Sequence, residues 1–307
     1  MFFGTPEFAV PILEALTRAG RRPALVVTQP SRPVGRQRTL QRPPAAEWAL
    51  ATGVDLRQPE RADDPELLDA LRSLAPGWGI VAAYGEILKP ELLAIPAHGF
   101  LNVHASLLPA WRGASPIQAA LAAGEAVTGV TIMQVEPGLD TGPIVLQCET
   151  PIEPHETAPE LSARLSVLGG AALVEALAGL ERGDLRGRAQ DETRATWAPR
   201  LKRTDGDVTW ELPAAVLFNR WRAYQPWPGV RAPVRGESVK LDALRPVADD
   251  SSAEPGRLLA VGEESVTVAC GEGSVLQVGG LQRPGSRLLP APDVLRGLRI
   301  AAGDSLT

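Results

Sequence analysis

For its first 180 residues the chain alternates short apolar runs with longer amphipathic ones, and then it changes rhythm. Residues 1–3, 24–28, 54–56 and 78–85 are apolar or β-branched runs of strand length. Between them, 5–20, 44–52 and 64–74 are helical stretches, the first with apolar positions three and four apart that give one buried face. Thr5 as N-cap, Pro6 at the first helical position and Glu7 in the first turn predict where the first helix begins. The stretch 100–118, FLNVHASLLPAWRGASPIQ, joins a short strand, a Pro-containing turn and a helix running to about residue 123. Strands at 129–134 and 143–148 follow, and 158–180 has the length and periodicity of a long closing helix. This alternation predicts an α/β domain, a doubly wound, mostly parallel Rossmann-like sheet. Beyond residue 191, β-type runs at 239–244, 256–261, 265–270 and 275–281 are separated by Gly, Pro and acidic turns, the pattern of a small barrel. Pro226-Trp227-Pro228 reads as a rigid proline turn with a packed Trp. The length of 307 residues fits two domains, with boundaries expected at 1–189, an interdomain linker at 190–203, and 204–307.

The candidate chemistry lies in two segments of the first domain. Asn102 and His104 are two apart on a strand, so both side chains leave the same face and can converge on one atom. They sit toward a strand C-terminus, where parallel sheets present their functional groups. Asp140 follows the 129–134 strand inside the Gly-bounded loop Gly138-Leu139-Asp140-Thr141-Gly142. The turn after the first strand, Gly4-Thr5-Pro6, lacks the G-x-G-x-x-G pattern of a dinucleotide site. Residues 29–44 form a long loop carrying Arg32, Arg36, Arg38 and Arg42 and no acid, with enough Pro and Gly to prevent regular structure. A loop of this length is either functional or simply solvated.

The string from Asn102 to Pro109, N-x-H-x-S-L-L-P, resembles the hallmark of the folate-dependent formyltransferases. Its continuation Trp111-Arg112-Gly113-Ala114-Ser115-Pro116 and the later G-L-D-T-G resemble most the methionyl-tRNA formyltransferase family within that superfamily. Arg220 to Gly229 is similar to the family's R-A-x-x-P-W-P-G signature. The likeness runs from Phe3 to about Pro228 and fades after that. It implies a catalytic Asn102, His104 and Asp140, a formyl-folate site shaped by Ser106, Leu107, Leu108 and Pro109, and a pterin pocket walled by Ala83, Tyr84 and Gly85. It also implies an OB-like C-terminal domain, 10-formyltetrahydrofolate as co-substrate and initiator methionyl-tRNA as acceptor. In that family the arginine loop enters the acceptor-stem region. Arg36 aligns with the key arginine of P-x-G-R, and Arg32, Arg38 and Arg42 are further candidate tRNA contacts. Relatives have several residues before Phe3, so the resemblance implies a first strand cut short.

Composition narrows the classes. A net charge of −5 gives no global attraction to nucleic acid, so RNA contacts have to be local. Arginine dominates lysine, and its planar fork suits phosphate. Cys148 and Cys270 are isolated, with no C-x-x-C and no His cluster, which leaves metal, redox and disulfide readings without support and points to a reducing cytosol. No signal-peptide pattern and no uninterrupted apolar run of membrane length occurs, so a cytoplasmic protein with no membrane or obligate protein partner is expected. Two alternatives stay open: a related folate enzyme acting on a small amine or on water, and a non-enzymatic RNA-binding module. The arginine loop and appended β domain oppose the former; the intact Asn-His-Asp set opposes the latter.

Overall fold

A computed structural model of the chain describes residues 1–34 and 39–307. Two compact units divide it: Met1–Ile117, Ala126–Ile152 and Glu160–Pro199 form one, and Gln118–Glu125, Glu153–Pro159 and Arg200–Thr307 the other.

The first unit is organised around a seven-stranded sheet. Its strands are β1 (Phe2–Gly4), β2 (Leu25–Val27), β3 (Asp55–Arg57), β4 (Gly79–Ala82), β5 (Phe100–His104), β6 (Val127–Gln134) and β7 (Ile144–Pro151). Their order across the sheet is β7-β6-β5-β4-β1-β2-β3. The five strands β3 to β5 along that order are parallel, and β6 and β7 add an antiparallel edge. The order reverses between β1 and β4, the place where doubly wound sheets open a crevice beyond their C-terminal strand ends. One face carries Phe3, Val27 and Phe100 against Leu67, Leu68 and Leu71 of helix Pro65–Leu74. On the other face, Gly169 and Gly170 of helix Ala158–Arg182 sit so close to Val103, Ile12 and Ala15 that a Cβ at either would fall 2.7–2.8 Å from its neighbour. That 25-residue helix is apolar and long enough to cross a membrane by composition, but Leu161, Leu165, Leu173 and Ala176 are buried inside the unit, as in a core helix.

Two sequence expectations need correction here. The first helix spans Ala9–Arg18, not residues from Pro6 onward. Thr5 does not cap it: its hydroxyl donates to Tyr84 O at 3.1 Å and accepts from Gln29 N at 3.2 Å, tying together the strand ends at the crevice. The arginine loop is also more regular than its Pro and Gly content predicts, because Arg32–Val34 pairs antiparallel with Thr39–Gln41. Arg32 and Arg42 are exposed; Arg36 and Arg38 lie outside the described residues.

The second unit contains an antiparallel sheet of β8 (Val230–Val234), β9 (Glu237–Asp250), β10 (Leu258–Val261), β11 (Val266–Ala269) and β12 (Ser274–Gln282), in the order β8-β9-β12-β11-β10. The C-terminal segment bridges its two edges. Leu258 N donates to Asp304 O and Leu306 N to Gly256 O on one side, while Arg235 N donates to Leu306 O on the other. That curls the sheet toward the barrel read from the sequence. Two helices the periodicity did not reveal, Ala214–Ala223 and Ala291–Gly297, supply Leu217 and Leu295 to its core. The fully buried tryptophan among the described residues of this unit is Trp210, 1% exposed, whose Nε1 donates to Pro233 O at 3.0 Å. Trp227, expected to be packed in its proline turn, is instead 54% exposed.

Candidate active site

β5 is flanked by β4 on one side and β6 on the other, so its backbone is fully paired and its side chains alternate strictly between faces. Leu101 and Val103 go to the face of the long helix. Phe100, Asn102 and His104 share the opposite face. Asp140 arrives from the loop 135–143 that joins β6 to β7, and that loop brings its carboxylate to both polar side chains. Asn102 Nδ2 donates to Asp140 Oδ1 at 3.5 Å. His104 Nδ1 lies 3.7 Å from Asp140 Oδ2, an ion-pair separation longer than a hydrogen bond. Both groups are well shielded, His104 5% exposed and Asp140 15%.

Backbone groups complete the arrangement. His104 Nε2 is 3.0 Å from Trp111 O, and a carbonyl only accepts, so this nitrogen carries the hydrogen. Nδ1, facing Asp140, is therefore the nitrogen free to take up a proton. Gly113 N donates to Asp140 Oδ2 at 2.8 Å. To present those two groups the chain takes left-handed conformations at Trp111 (φ 62°) and Gly113 (φ 123°). The turn is held by residues 196–198: Trp111 N donates to Thr196 Oγ1, Arg112 N to Thr196 O, and Arg112–Gly113 pairs parallel with Trp197–Ala198. Asp140 is itself left-handed, at φ 55°.

Arg112 is 1% exposed and spends its guanidinium on this framework. It donates from Nη1 and Nη2 to Glu192 at 2.8 Å each and from Nε and Nη2 to Gln190 Oε1. Hydrogen bonding to Glu192, with Asp140 adding a weaker electrostatic pull, raises the guanidinium pKa against the cost of burial. The same bond holds the Glu192 carboxyl below the usual range.

The SLLP turn is closed on itself. Ser106, fully buried, donates from Oγ to Ala110 O at 2.6 Å, and Thr131 Oγ1 donates to Ser106 O while accepting from Leu108 N. Gln147 Nε2 adds a bond to Leu108 O at 2.8 Å. Leu108 is buried, and Leu107 and Pro109 are half-buried. Ser106 thus shapes the turn from inside. At the crevice, Ala83 and Gly85 are exposed and left-handed (φ 51° and 90°). The Tyr84 side chain turns away from it into the core, its ring edge-on to Phe3 at 5.2 Å, so only the backbone of this turn faces outward with Ala83 and Gly85.

The structure therefore brings Asn102, His104 and Asp140 together and sets Ser106 to Pro109 beside them. Sequence reasoning missed Trp111 O, Gly113 N and Gln190. The first two are backbone groups with no residue-type signal, and Gln190 stands in a polar stretch without periodicity. Among the described residues, no group of three His, Cys, Asp or Glu side chains is placed to hold a metal ion.

Comparison with known proteins matches the family model described as "Formyl transferase" over residues 1–177 and that of "Formyl transferase, C-terminal domain" over 200–299. The chain is 48% identical over 300 residues to a methionyl-tRNA formyltransferase of Anaeromyxobacter dehalogenans, covering 97% of this chain and 96% of that protein. It is 46% identical over 302 residues to that of Acidobacterium capsulatum, covering 98% and 97%. Among solved structures, HypX from Aquifex aeolicus in complex with tetrahydrofolic acid shares the fold with a TM-score of 0.65 at 20% identity. The match covers 99% of this chain but 48% of HypX. The sugar 3N-formyl transferase WlaRD gives 0.66 at 14% identity, with 93% and 97% covered.

Proposed function

This chain belongs to the methionyl-tRNA formyltransferase family, and on that premise we infer that it transfers the formyl group of 10-formyltetrahydrofolate to the α-amino group of initiator methionyl-tRNA. The observation that carries the reading of the site is that Asn102 and His104, on one sheet face, both meet the Asp140 carboxylate, at 3.5 Å and 3.7 Å.

An α-amine has a reference pKa of about 7.7–8.0, so a useful minor fraction of it is already free base near neutral pH. The harder problem is the negative oxygen that forms when nitrogen attacks the formyl carbon. Asn102 Nδ2 is the donor for that oxygen as it forms, joined by His104 Nδ1 once that nitrogen has taken up a proton, and one preorganised donor of this kind is worth about 10²–10³ in rate. The attacking nitrogen then has to lose a proton, and N10 of the folate has to gain one. His104 Nδ1 is the group for this transfer, because Nε2 is committed to Trp111 O. Asp140, 3.7 Å away, stabilises the imidazolium that results. Folate binds by the crevice end of the sheet, where the exposed turn at Ala83 and Gly85 and the SLLP turn follow the neighbouring parallel strands β4 and β5. The donor set supplies acid, base and oxyanion contacts from side chains, so no step requires a metal. We assign residues 1–189 to catalysis and 204–307 to additional tRNA contact, with the connecting 190–203 also supplying Gln190 and residues 196–198 to the site.

The arginine loop distinguishes a tRNA enzyme from its small-amine relatives. Arg36→Ala is expected to lower kcat/KM for methionyl-tRNA and to flatten its dependence on salt, because each lost phosphate contact releases fewer counterions. Exposed Arg32 and Arg42 are expected to act the same way to a smaller degree. Tetrahydrofolate affinity stays unchanged. A salt series of kcat/KM for wild type and Arg36→Ala tests this, and identical curves would remove the loop from tRNA recognition.

A further inference from the structure

One side chain outside the trio spends its whole hydrogen-bonding capacity between a buried cation and the loop that carries Asp140. Gln190 Nε2 donates to Asp140 O at 2.8 Å and to Gly142 O at 2.7 Å. Its Oε1 accepts from Arg112 Nε at 3.1 Å and Nη2 at 2.7 Å. A primary amide has two N–H bonds to give and two lone pairs to fill, so nothing is left over. The orientation is also unique. Turned over, the amide would set its oxygen against two carbonyl oxygens and its NH2 against a guanidinium.

What this amide holds does not hold itself. Asp140 is left-handed, a conformation that a non-glycine residue keeps only when its surroundings fix it. The loop is hemmed in beyond it, since a Cβ at Gly142 would fall 1.8 Å from Gln134 O. Arg112, at the far end of the amide, is the residue before Gly113, whose N–H fixes Asp140 Oδ2. The same turn therefore grips Asp140 twice: from Gly113 at the carboxylate, and from Arg112 through Gln190 at the peptide.

We propose that Gln190 is a positioning residue for formyl transfer: it locks the Asp140 peptide in its left-handed conformation and so sets the carboxylate between Asn102 Nδ2, His104 Nδ1 and Gly113 N. The proposal rests on the reading of Asp140 as catalytic. None of the hydrogen bonds Gln190 makes is to a side chain of the trio, so its influence passes through the loop backbone.

Two substitutions separate positioning from mere stability. Gln190→Glu keeps an acceptor for Arg112 but sets a carboxylate oxygen against Asp140 O and Gly142 O. Gln190→Met keeps the volume and removes the bonds. Each is made in the wild type and in Asp140→Asn, with kcat from single-turnover formylation, KM for methionyl-tRNA and Tm measured together. In the wild type, Gln190→Glu is expected to lower kcat about 10- to 100-fold, the cost of a displacement near 1 Å at a catalytic group. Gln190→Met is expected to lower it less, with KM and Tm little changed in both. In Asp140→Asn, neither substitution lowers kcat further, because the group it positions is already lost. Wild-type kcat in Gln190→Glu, a full additive loss in the Asp140→Asn background, or failure of both variants to fold would overturn the proposal. Wild-type turnover in Asp140→Asn alone would instead overturn the reading of Asp140.

Discussion

Asp140→Asn is expected to reduce turnover by about 10²–10⁴, the range for loss of a group that supports proton transfer. The substitution is nearly isosteric, but two donors already address the carboxylate, Gly113 N on Oδ2 and Asn102 Nδ2 on Oδ1. Whichever way an amide turns there, its NH2 faces one of them. The imidazolium formed at His104 Nδ1 also loses its counter-charge. His104→Ala is expected to lose turnover to a similar extent, and Asn102→Ala at least about 10²-fold as a lost oxyanion donor. In all three, kcat and kcat/KM fall together, because the interactions are made in the transition state. Steady-state kinetics with far-UV circular dichroism checks this. Near wild-type turnover with an intact fold in any of the three would contradict the site assignment.

Gly113→Ala is expected to damage both stability and catalysis. At φ 123° an added Cβ is strained, and it would meet Ala198 O at 2.5 Å and Ala198 C at 3.1 Å, backbone atoms of the paired segment that cannot swing aside. Strain and overpacking together are expected to cost about 2–4 kcal/mol. Moving Gly113 also moves the N–H that fixes Asp140 Oδ2, so turnover at a permissive temperature is expected to fall at least about tenfold. Gly183→Ala is the control: its φ is 80°, but nothing lies within 4 Å of an added Cβ, so it carries strain without a clash and leaves turnover alone. Thermal melts and kcat of the two variants settle the point, and a fully active, stable Gly113→Ala would contradict the role given to the turn.

How much of this was legible beforehand depended on whether a feature lived in side-chain type or in backbone geometry. The N-x-H spacing on β5 could be read because period-two alternation forces Asn102 and His104 onto one face. Asp140 could be read through the likeness of its G-L-D-T-G loop to the family's, and the mostly parallel, doubly wound class of the sheet from the strand-helix alternation. The start of the first helix was misplaced because Thr5 has a competing use. A capping hydroxyl and one that joins Tyr84 O to Gln29 N look identical in sequence. Pro33 and Gly35 suggested an irregular loop, yet Pro33 sits in a short isolated hairpin that tolerates it as an edge strand does. Tyr84 looked like a pocket wall because its neighbours face the crevice. The left-handed turn at Ala83 breaks the alternation of the strand and carries the ring into the core. The carbonyl of Trp111 and the N–H of Gly113 had no signal at all, since any residue type supplies them.

The most direct test of the central claim is formyl transfer itself. Purified protein is given 10-formyltetrahydrofolate and, in parallel, charged initiator methionyl-tRNA, charged elongator methionyl-tRNA and a small-molecule amine, all in the presence of EDTA. Formylmethionine released by mild base from the initiator tRNA, at turnover far above the other acceptors and unaffected by the chelator, is the predicted result. Formyl appearing only on the small amine or as free formate, or activity that EDTA abolishes and zinc restores, would contradict the account.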